Sequence, residues 1–226
     1  MLKKVLIGVA IFIVLAIAGL GGYIYMMDWN KHKDVVAERF SQITGLRASI
    51  EGDLKVDLFP SPKFSASTVR FFKHNAPRDP LVTVKDITAN VELWPMFHHK
   101  FVIKSMNLTN VAVNVNVNEK GTSNWDGINT NSGEQSGDIE VSFNDVKLNN
   151  VVLNYNNQQD NTEFSLPNIS ATVNAATIKG PYKTNGRLLY NNNEIKFQGL
   201  VAKSKGYHIN MTVENAPTGS KGVIEG

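Results

Sequence analysis

The stretch from Val111 to Asn118 reads VAVNVNVN, and it decides the fold class. Valine occupies every second position, and asparagine fills most of the positions between. Because a β-strand points successive side chains to opposite faces, this alternation predicts a strand with one apolar and one polar face. Such a strand belongs in a sheet that covers its valine side and exposes its asparagine side to water.

Similar alternating segments lie on both sides of this strand. Turn signals such as Pro60, Pro62 and Asn191–Asn193 separate them. Further strands are predicted at residues 49–58, 64–72, 81–93, 101–108, 139–143, 146–155, 168–178, 187–190, 194–200 and 207–213. The polar residues 119–138 are predicted as a long loop. The sequence therefore predicts a mainly β protein built on a long antiparallel sheet.

One segment before the strands has helical periodicity. Residues 34–44 place Val36, Phe40 and Ile43 on one helical face, and Gly45 follows as a C-terminal stop. This spacing predicts a short amphipathic helix whose apolar side either packs on the first strands or contacts lipid headgroups. No further helix is predicted, so helices do not supply a layer that covers the sheet.

The apolar face of the sheet must then be covered in another way. A second sheet would give a closed sandwich, and a curved sheet would shelter a bound apolar ligand in a groove. Exposure of the whole apolar face to water is disfavoured, because burial of apolar surface stabilises the folded state by about 25 cal/mol per Å². Composition and periodicity leave both the sandwich and the groove open.

The N-terminus carries a long uncharged apolar stretch. Residues 5–27 are long enough to cross a hydrocarbon core as one helix, and Lys3 and Lys4 precede them. A signal peptide cleaved after Ala18 is the alternative, but the apolar run continues past that residue. We expect a retained transmembrane helix with a cytoplasmic N-terminus.

These segments divide the chain into four predicted parts. They are a cytoplasmic stub, a transmembrane helix, a juxtamembrane short helix and a periplasmic antiparallel β domain, at residues 1–4, 5–27, 28–45 and 46–226. Lysines flank both ends of the apolar stretch, so charge gives little bias in orientation. The signal-like start favours export of the domain that follows.

Composition excludes several classes of function. Of the 226 residues, 42% are hydrophobic and 19% are charged, so the chain can bury a sizeable core. Its 23 basic and 20 acidic residues are spread along the sequence, without the basic face of a nucleic-acid-binding protein. The absence of cysteine excludes disulfides and thiolate metal ligands.

No group of side chains indicates catalysis, a cofactor or a metal site. The five histidines are scattered, and the adjacent His98 and His99 are predicted in a solvated turn. Trp94 and Trp125 are predicted to pack at a corner and in the core. We therefore expect a protein that is not an enzyme and that has no catalytic residue, cofactor or metal.

Several segments, in this order, resemble the AsmA family of membrane-anchored envelope proteins of two-membrane bacteria. After the apolar and short helices come IEGDL at residues 50–54 and PSP at residues 60–62, similar to the family's I-x-G-x-L and P-x-P. VELWPM at residues 91–96 resembles V-x-L-W-P-L, and GTSNW at residues 121–125 resembles G-x-x-N-W. The resemblance covers residues 1–127 and is weaker beyond them.

The resemblance implies an open trough made of a long bent antiparallel sheet, anchored in the inner membrane and projecting into the periplasm. It further implies that phospholipid acyl chains bind along the apolar side of that trough. The candidate lipid-facing residues are Val111, Val113, Val115, Val117, Val141, Phe143, Val151, Leu153 and Tyr155.

The expected function is binding or conduction of phospholipid in support of outer-membrane lipid homeostasis. The expected partners are membrane lipids and the inner membrane, with no nucleic acid and with envelope protein partners left open. The alternative is a structural or assembly factor for outer-membrane biogenesis that acts through strand edges. Because most relatives are longer, these 226 residues are expected to be either a fragment of a longer trough or a short member.

Overall fold

The computed structural model describes residues 22, 26–57, 61–92, 100–128, 140–175, 180–203, 207–215 and 217–225. A 3₁₀ turn and one α-helix precede eleven strands, which confirms the predicted mainly β fold. The elements are the turn Trp29–His32, α1 Lys33–Thr44, β1 Arg47–Ile50, β2 Leu54–Asp57, β3 Lys63–Lys73, β4 Ala76–Glu92, β5 Lys100–Val117, β6 Glu140–Asn157, β7 Thr162–Ala175, β8 Tyr182–Tyr190, β9 Asn193–Lys203, β10 Tyr207–Asn215 and β11 Ser220–Glu225.

The predicted transmembrane helix, residues 5–27, lies almost entirely outside the described residues. Within the part of the chain that the structure describes, no helix has the length and apolarity needed to cross a membrane.

The helix α1 confirms the predicted short helix. It ends at Thr44 because Gly45 adopts a left-handed conformation (φ 73°), from which its N–H donates to the Ser41 carbonyl oxygen over 2.9 Å. The Ser41 hydroxyl oxygen also accepts a hydrogen bond of 2.8 Å from the N–H of Ala48. The first bond caps the helix, and the second joins its end to the first strand.

All eleven strands form one sheet. Its order is β1-β3-β4-β5-β6-β7-β8-β9-β10-β11, and β2 also pairs with β3. The order runs from one edge to the other without closing, and within the described ranges no second sheet packs against it. The described strands therefore form an open sheet and not a sandwich.

The expectation of antiparallel pairing throughout is wrong for one pair of strands. β5 and β6 are parallel, with Val111 opposite Val151, whereas every other neighbouring pair is antiparallel. A parallel partner cannot follow a tight turn, because the chain must first return to the starting end of the previous strand. The polar loop predicted at residues 119–138 lies in this connection, and much of it falls outside the described residues.

A row of left-handed residues crosses the middle of the sheet. Thr68, Asn110 and Asn150 have φ angles of 49°, 55° and 53°. The paired residues on either side place Thr68 level with Lys85, Lys85 level with Asn110, and Asn110 level with Asn150. A residue in this conformation does not follow the pleat of a strand, so the alternation of side chains slips there by one position.

The slip keeps apolar side chains on one face along each strand. Phe64 and Phe71 are an odd number of positions apart, so strict alternation would place them on opposite faces of β3. Both nevertheless contact Phe40 of α1, with ring centroids 6.0 and 6.3 Å from that of Phe40. The predicted strand boundaries at residues 108 and 111 are wrong for this reason, since β5 continues through Asn110. In the sequence, a one-residue slip interrupts the alternating pattern in the same way as the end of a strand does.

The turn after β5 contains the segment GTSNW, residues 121–125, and it binds back to its own strand. β4 pairs with β5 only as far as Val113. Beyond that point the carbonyl oxygen of Asn114 accepts hydrogen bonds from Trp125 Nε1 (2.8 Å) and from Asn124 Nδ2 (3.0 Å). The indole N–H of Trp125 is therefore used within the fold, while its half-buried side chain lies outside the hydrophobic core in which it was predicted.

The hydrophobic core lies between α1 and the first strands. Leu54, Val69 and Val84 are its most deeply buried members, and Ala37 and Phe40 contribute the helix side. Burial of these side chains stabilises the helix on the sheet, since each fully buried aliphatic side chain contributes about 1.5–3 kcal/mol. One end of the sheet's apolar side is thus covered by α1.

Candidate functional site

The candidate site is the apolar face, defined as the side of the sheet to which Val111 points. On β5 it includes Val113 and Val115, and the parallel register places Leu153 and Tyr155 of β6 opposite them. Because directly opposite residues of neighbouring strands point to the same side, the structure brings the predicted residues of these two strands together. Val117 follows Val115 on the same side, opposite Asn157.

The predicted residues differ in how far they are covered. Val111 and Val151 are only 4% and 8% exposed and belong to the hydrophobic core. Val113, Val115, Val117, Leu153 and Tyr155 are half-buried. The half-buried residues have surface available for a ligand, whereas Val111 and Val151 already pack against protein.

Two predicted residues lie further along β6. The register pairs Val141 with Phe101 and Phe143 with Ile103. The side chains of Val141 and Phe143 lie outside the described part of the structure.

The apolar face extends well beyond the predicted residues. Ile169 of β7 lies level with Leu188 of β8, which pairs with Ile195 of β9, and Phe197 of β9 pairs with Val213 of β10. The candidates predicted from the sequence lie only on β5 and β6 and include no residue of these four strands. The signal was present, because Ile195, Phe197 and Val201 alternate in the same way as the valines of β5.

Aromatic side chains contribute to this face. Tyr155 stacks on Phe164, with ring centroids 4.9 Å apart and an angle of 21° between the rings. The ring of Phe197 covers Gly186, where a Cβ atom would approach Phe197 Cε2 to 2.9 Å. Glycine at this position lets the ring contact the neighbouring backbone, an arrangement known to protect glycine in a sheet.

The apolar side chains of this face become less buried from the first strands toward β11. All the buried hydrophobic residues of the described chain lie between Ala37 and Ala175, so β8 to β11 contain none. Leu188, Ile195 and Val213 remain half-buried, and Ile209 is 39% exposed. The apolar face is therefore closed by α1 near the first strands and open over β8 to β10.

The opposite side of the sheet is polar. Asn154 Nδ2 donates to Asn114 Oδ1 (3.0 Å), and the Ser165 hydroxyl donates to Asn154 Oδ1 (2.9 Å), which links three strands. Asn116 and Asn118 are exposed, as the alternation predicts, while Asn114 is half-buried in this chain of hydrogen bonds. The two faces of the sheet thus differ in chemistry as the sequence indicates.

The apolar face offers mainly apolar contacts. Most of its side chains are aliphatic or aromatic, and they provide dispersion contacts and removal of apolar surface from water. Among the described residues, no three His, Asp or Glu side chains come together as metal ligands. An aliphatic chain laid on this face would cover the side chains that the protein itself leaves partly exposed.

Comparison with protein families shows that the AsmA family model matches residues 1–218. The match includes β6 to β10, which lie beyond the segments that carry the resemblance in the sequence. Comparison with curated proteins and with solved structures found no match.

Proposed function

The chain belongs to the AsmA family, and from this premise we propose that it binds phospholipid acyl chains on its apolar face and supports outer-membrane lipid homeostasis. The observation that carries the proposal is the open part of that face. Over β8 to β10 apolar side chains from three strands share one side of the sheet without any buried residue among them.

The physical basis is the apolar area that remains partly exposed. Each CH₂ group of an acyl chain that leaves water contributes about 0.8 kcal/mol. The protein gains in the same way, because the chain would cover Leu188, Ile195 and Phe197, which are half-buried. A flat apolar surface with aromatic rings suits a flexible aliphatic ligand, since it needs no directional hydrogen bonds.

We place the protein in the inner membrane, with residues 5–27 as a single anchor and the sheet in the periplasm. The uncharged apolar stretch and the family membership support this placement. In this proposal the protein acts as a binding scaffold without catalysis, and its partners are the membrane and its phospholipids. A cofactor has no role in the proposal.

Aspartate substitutions on the two faces of β5 test this function. In Val115→Asp a charge would lie beside the acyl chain, so the purified variant should fold but carry less phospholipid. Asn116→Asp places the same charge on the polar side of the same strand and should retain the lipid of the parent. Circular dichroism reports folding, and mass spectrometry of extracted lipid reports binding.

If the face around Val115 were a dry protein core, the outcome would differ. An unpaired buried carboxylate costs several kcal/mol, which is enough to unfold a domain of ordinary stability. A Val115→Asp variant that melts far below the parent, from a parent that carries no phospholipid, contradicts the proposal.

A strand-pairing assembly factor is the second candidate, and β11 is the observation that favours it. All six residues of β11 are exposed, including Val223 and Ile224, at one edge of the described sheet. Such an edge offers unpaired backbone groups to a partner strand. Phospholipid bound to the purified protein favours acyl-chain binding. Absence of bound phospholipid, together with a partner strand crosslinked to β11, favours the assembly factor.

A further inference from the structure

A cavity on the polar side of the sheet is not used by the proposed function. We call it the polar cavity; its volume is about 590 Å³, and its lining comes from β6 to β11. Most of its lining residues alternate with residues of the apolar face, so they point to the opposite side. Any ligand of the polar cavity would therefore be separated from the apolar face by the sheet itself.

The strand register arranges the lining in two adjacent rows. The charged row runs across five strands as Ser170, Arg187, Lys196, Glu214 and Lys221. The second row carries one lysine followed by amides and hydroxyls, as Lys147, Thr172, Asn185, Gln198 and Thr212. Charged and neutral hydrogen-bonding groups thus lie side by side along the cavity.

Positive charge is in excess in this lining. Its four cationic side chains face two carboxylates of the lining, those of Glu194 and Glu214, and Lys147 also pairs with Asp145 outside the lining at 3.3 Å. Arg187 lies directly opposite Lys196 in the register, and like charges in that position repel each other. Glu194 is shared between them, at 3.5 Å from Arg187 and 3.9 Å from Lys196, so one carboxylate serves two cations.

Donor groups remain available after these ion pairs are formed. A guanidinium has five N–H donors and an ammonium has three, and each ion pair described here uses few of them. Lys221 is likewise paired with Glu214 at 3.4 Å and retains further donors. A ligand with several anionic oxygens would satisfy these donors and reduce the repulsion between Arg187 and Lys196.

We propose that the polar cavity binds a phosphate-bearing anion between Arg187 and Lys196. Phosphate presents several acceptor oxygens, and arginine and lysine are the side chains that bind it in proteins. In the second row, Asn185 and Gln198 lie directly beside these cations and suit the hydroxyl or ester part of the same ligand. A soluble phosphate ester and a phospholipid headgroup share this chemistry.

Calorimetric titration of the full chain in a non-ionic detergent tests the proposal. The probes are inorganic phosphate, glycerol 3-phosphate and a short-chain, water-soluble phosphatidylglycerol. We expect saturable binding that weakens at least about tenfold in the double variant Arg187→Gln, Lys196→Gln, as the loss of two charge-assisted contacts requires. Phosphatidylglycerol binding that weakens in this double variant, as binding of the soluble probes does, indicates a headgroup in the polar cavity. Phosphatidylglycerol binding that is unchanged in the variant, beside weakened binding of the soluble probes, indicates a free phosphate ester.

The matched control is the double variant Lys104→Gln, Lys183→Gln, which removes the same charge outside the polar cavity. Lys183 lies on β8, the strand that carries Arg187, and Lys104 lies on β5. This control should bind phosphate within about twofold of the parent, since neither lysine lines the polar cavity. Thermal unfolding gives a second measurement, because a ligand of the folded state raises Tm of the parent and the control but not of the cavity variant.

Two outcomes overturn the proposal. One is the absence of saturable binding, with no rise of Tm in phosphate. The other is equal weakening in both double variants, which indicates a general effect of charge and a solvated surface. The acyl-chain function is tested separately, because the Arg187→Gln, Lys196→Gln variant should keep the phospholipid bound to the apolar face.

Discussion

At the scale of single residues, Asn110 combines a strained backbone with a specific contact. Its φ angle is 55° in the middle of β5, and its Oδ1 atom accepts a hydrogen bond of 2.6 Å from Asn150 Nδ2. Asparagine tolerates this left-handed conformation better than β-branched residues do. The asparagine is therefore suited to the position at which the alternation slips.

Substitutions at Asn110 should separate backbone strain from the side-chain contact. Asn110→Val should lower the free energy of unfolding by about 1–2 kcal/mol more than Asn110→Gly, because glycine adopts the left-handed conformation without a Cβ clash. Both variants lose the hydrogen bond to Asn150, so that contact does not contribute to the difference. Urea denaturation measures it, and equal losses in the two variants would contradict the left-handed conformation.

The alternation on β5 makes a second prediction at this scale. Single cysteines placed in the cysteine-free chain at Asn116 and Asn118 should react readily with a water-soluble maleimide, because both positions are exposed. Cysteines at Val111 and Val113 should resist, with Val111 the slower of the two because it is 4% exposed. Equal labelling at valine and asparagine positions would refute the assignment of faces.

Residue patterns predicted the faces of β5 but not the slip between its two halves. Valine and asparagine alternate locally, so the side to which each points follows from the pleat alone. Asn110 and Asn114 are the same residue type, and only Asn110 is left-handed. Each of the two accepts a hydrogen bond from an asparagine 40 positions away on β6, Asn150 and Asn154, so neither the residue type nor this contact distinguishes them. Local sequence does not show which of the two is left-handed.

At the scale of elements, α1 is attached to the sheet by its aromatic residue. Phe40 contacts Phe64 and Phe71 edge-on, at 6.0 and 6.3 Å between ring centroids. Phe40→Ala should lower the free energy of unfolding by about 2 kcal/mol, somewhat below the range for fully buried phenylalanine because Phe40 is half-buried.

The control for Phe40→Ala is Val35→Ala on the same helix. Val35 is 61% exposed, so its truncation should change stability by less than about 0.5 kcal/mol. Denaturant titration of both variants distinguishes packing of the helix's apolar side on the first strands from its contact with lipid headgroups. Equal small effects would mean that α1 does not pack on the sheet and would favour contact of its apolar side with lipid headgroups.

The helix was predictable because its signals are local, whereas the direction of β6 was not. Gly45 marks the helix end within a few residues of the apolar stripe, as capping rules describe. The parallel pairing of β5 and β6 depends on the path of the connection between them, and a polar loop fits either direction. The strand predicted at residues 49–58 is divided into β1 and β2, because Glu51 and Gly52 bind the backbone of β3 outside the regular ladder.

At the scale of the whole molecule, the sheet is covered at one end and open at the other. The core under α1 is tightly buried, and the apolar face continues over β8 to β10 without buried residues. The sequence could not choose between sandwich and groove, because a strand alternates in the same way whether a second sheet or a ligand covers it. The choice depends on the number of sheets, which is a property of the complete strand order.

The central claim is that acyl chains lie on the apolar face, and photocrosslinking tests it most directly. A phospholipid with a photoreactive group at the end of its acyl chain is incorporated into membranes that contain the full chain. Single cysteines, each carrying a cleavable tag, are placed at Val115 and Leu153 on the apolar face and at Asn116 and Asn154 on the polar face. The tag then identifies the peptide of β5 or β6 that the acyl group has labelled. We expect acyl crosslinks at Val115 and Leu153 and none at Asn116 and Asn154. Crosslinks of equal yield on both faces, or none on either, would contradict it.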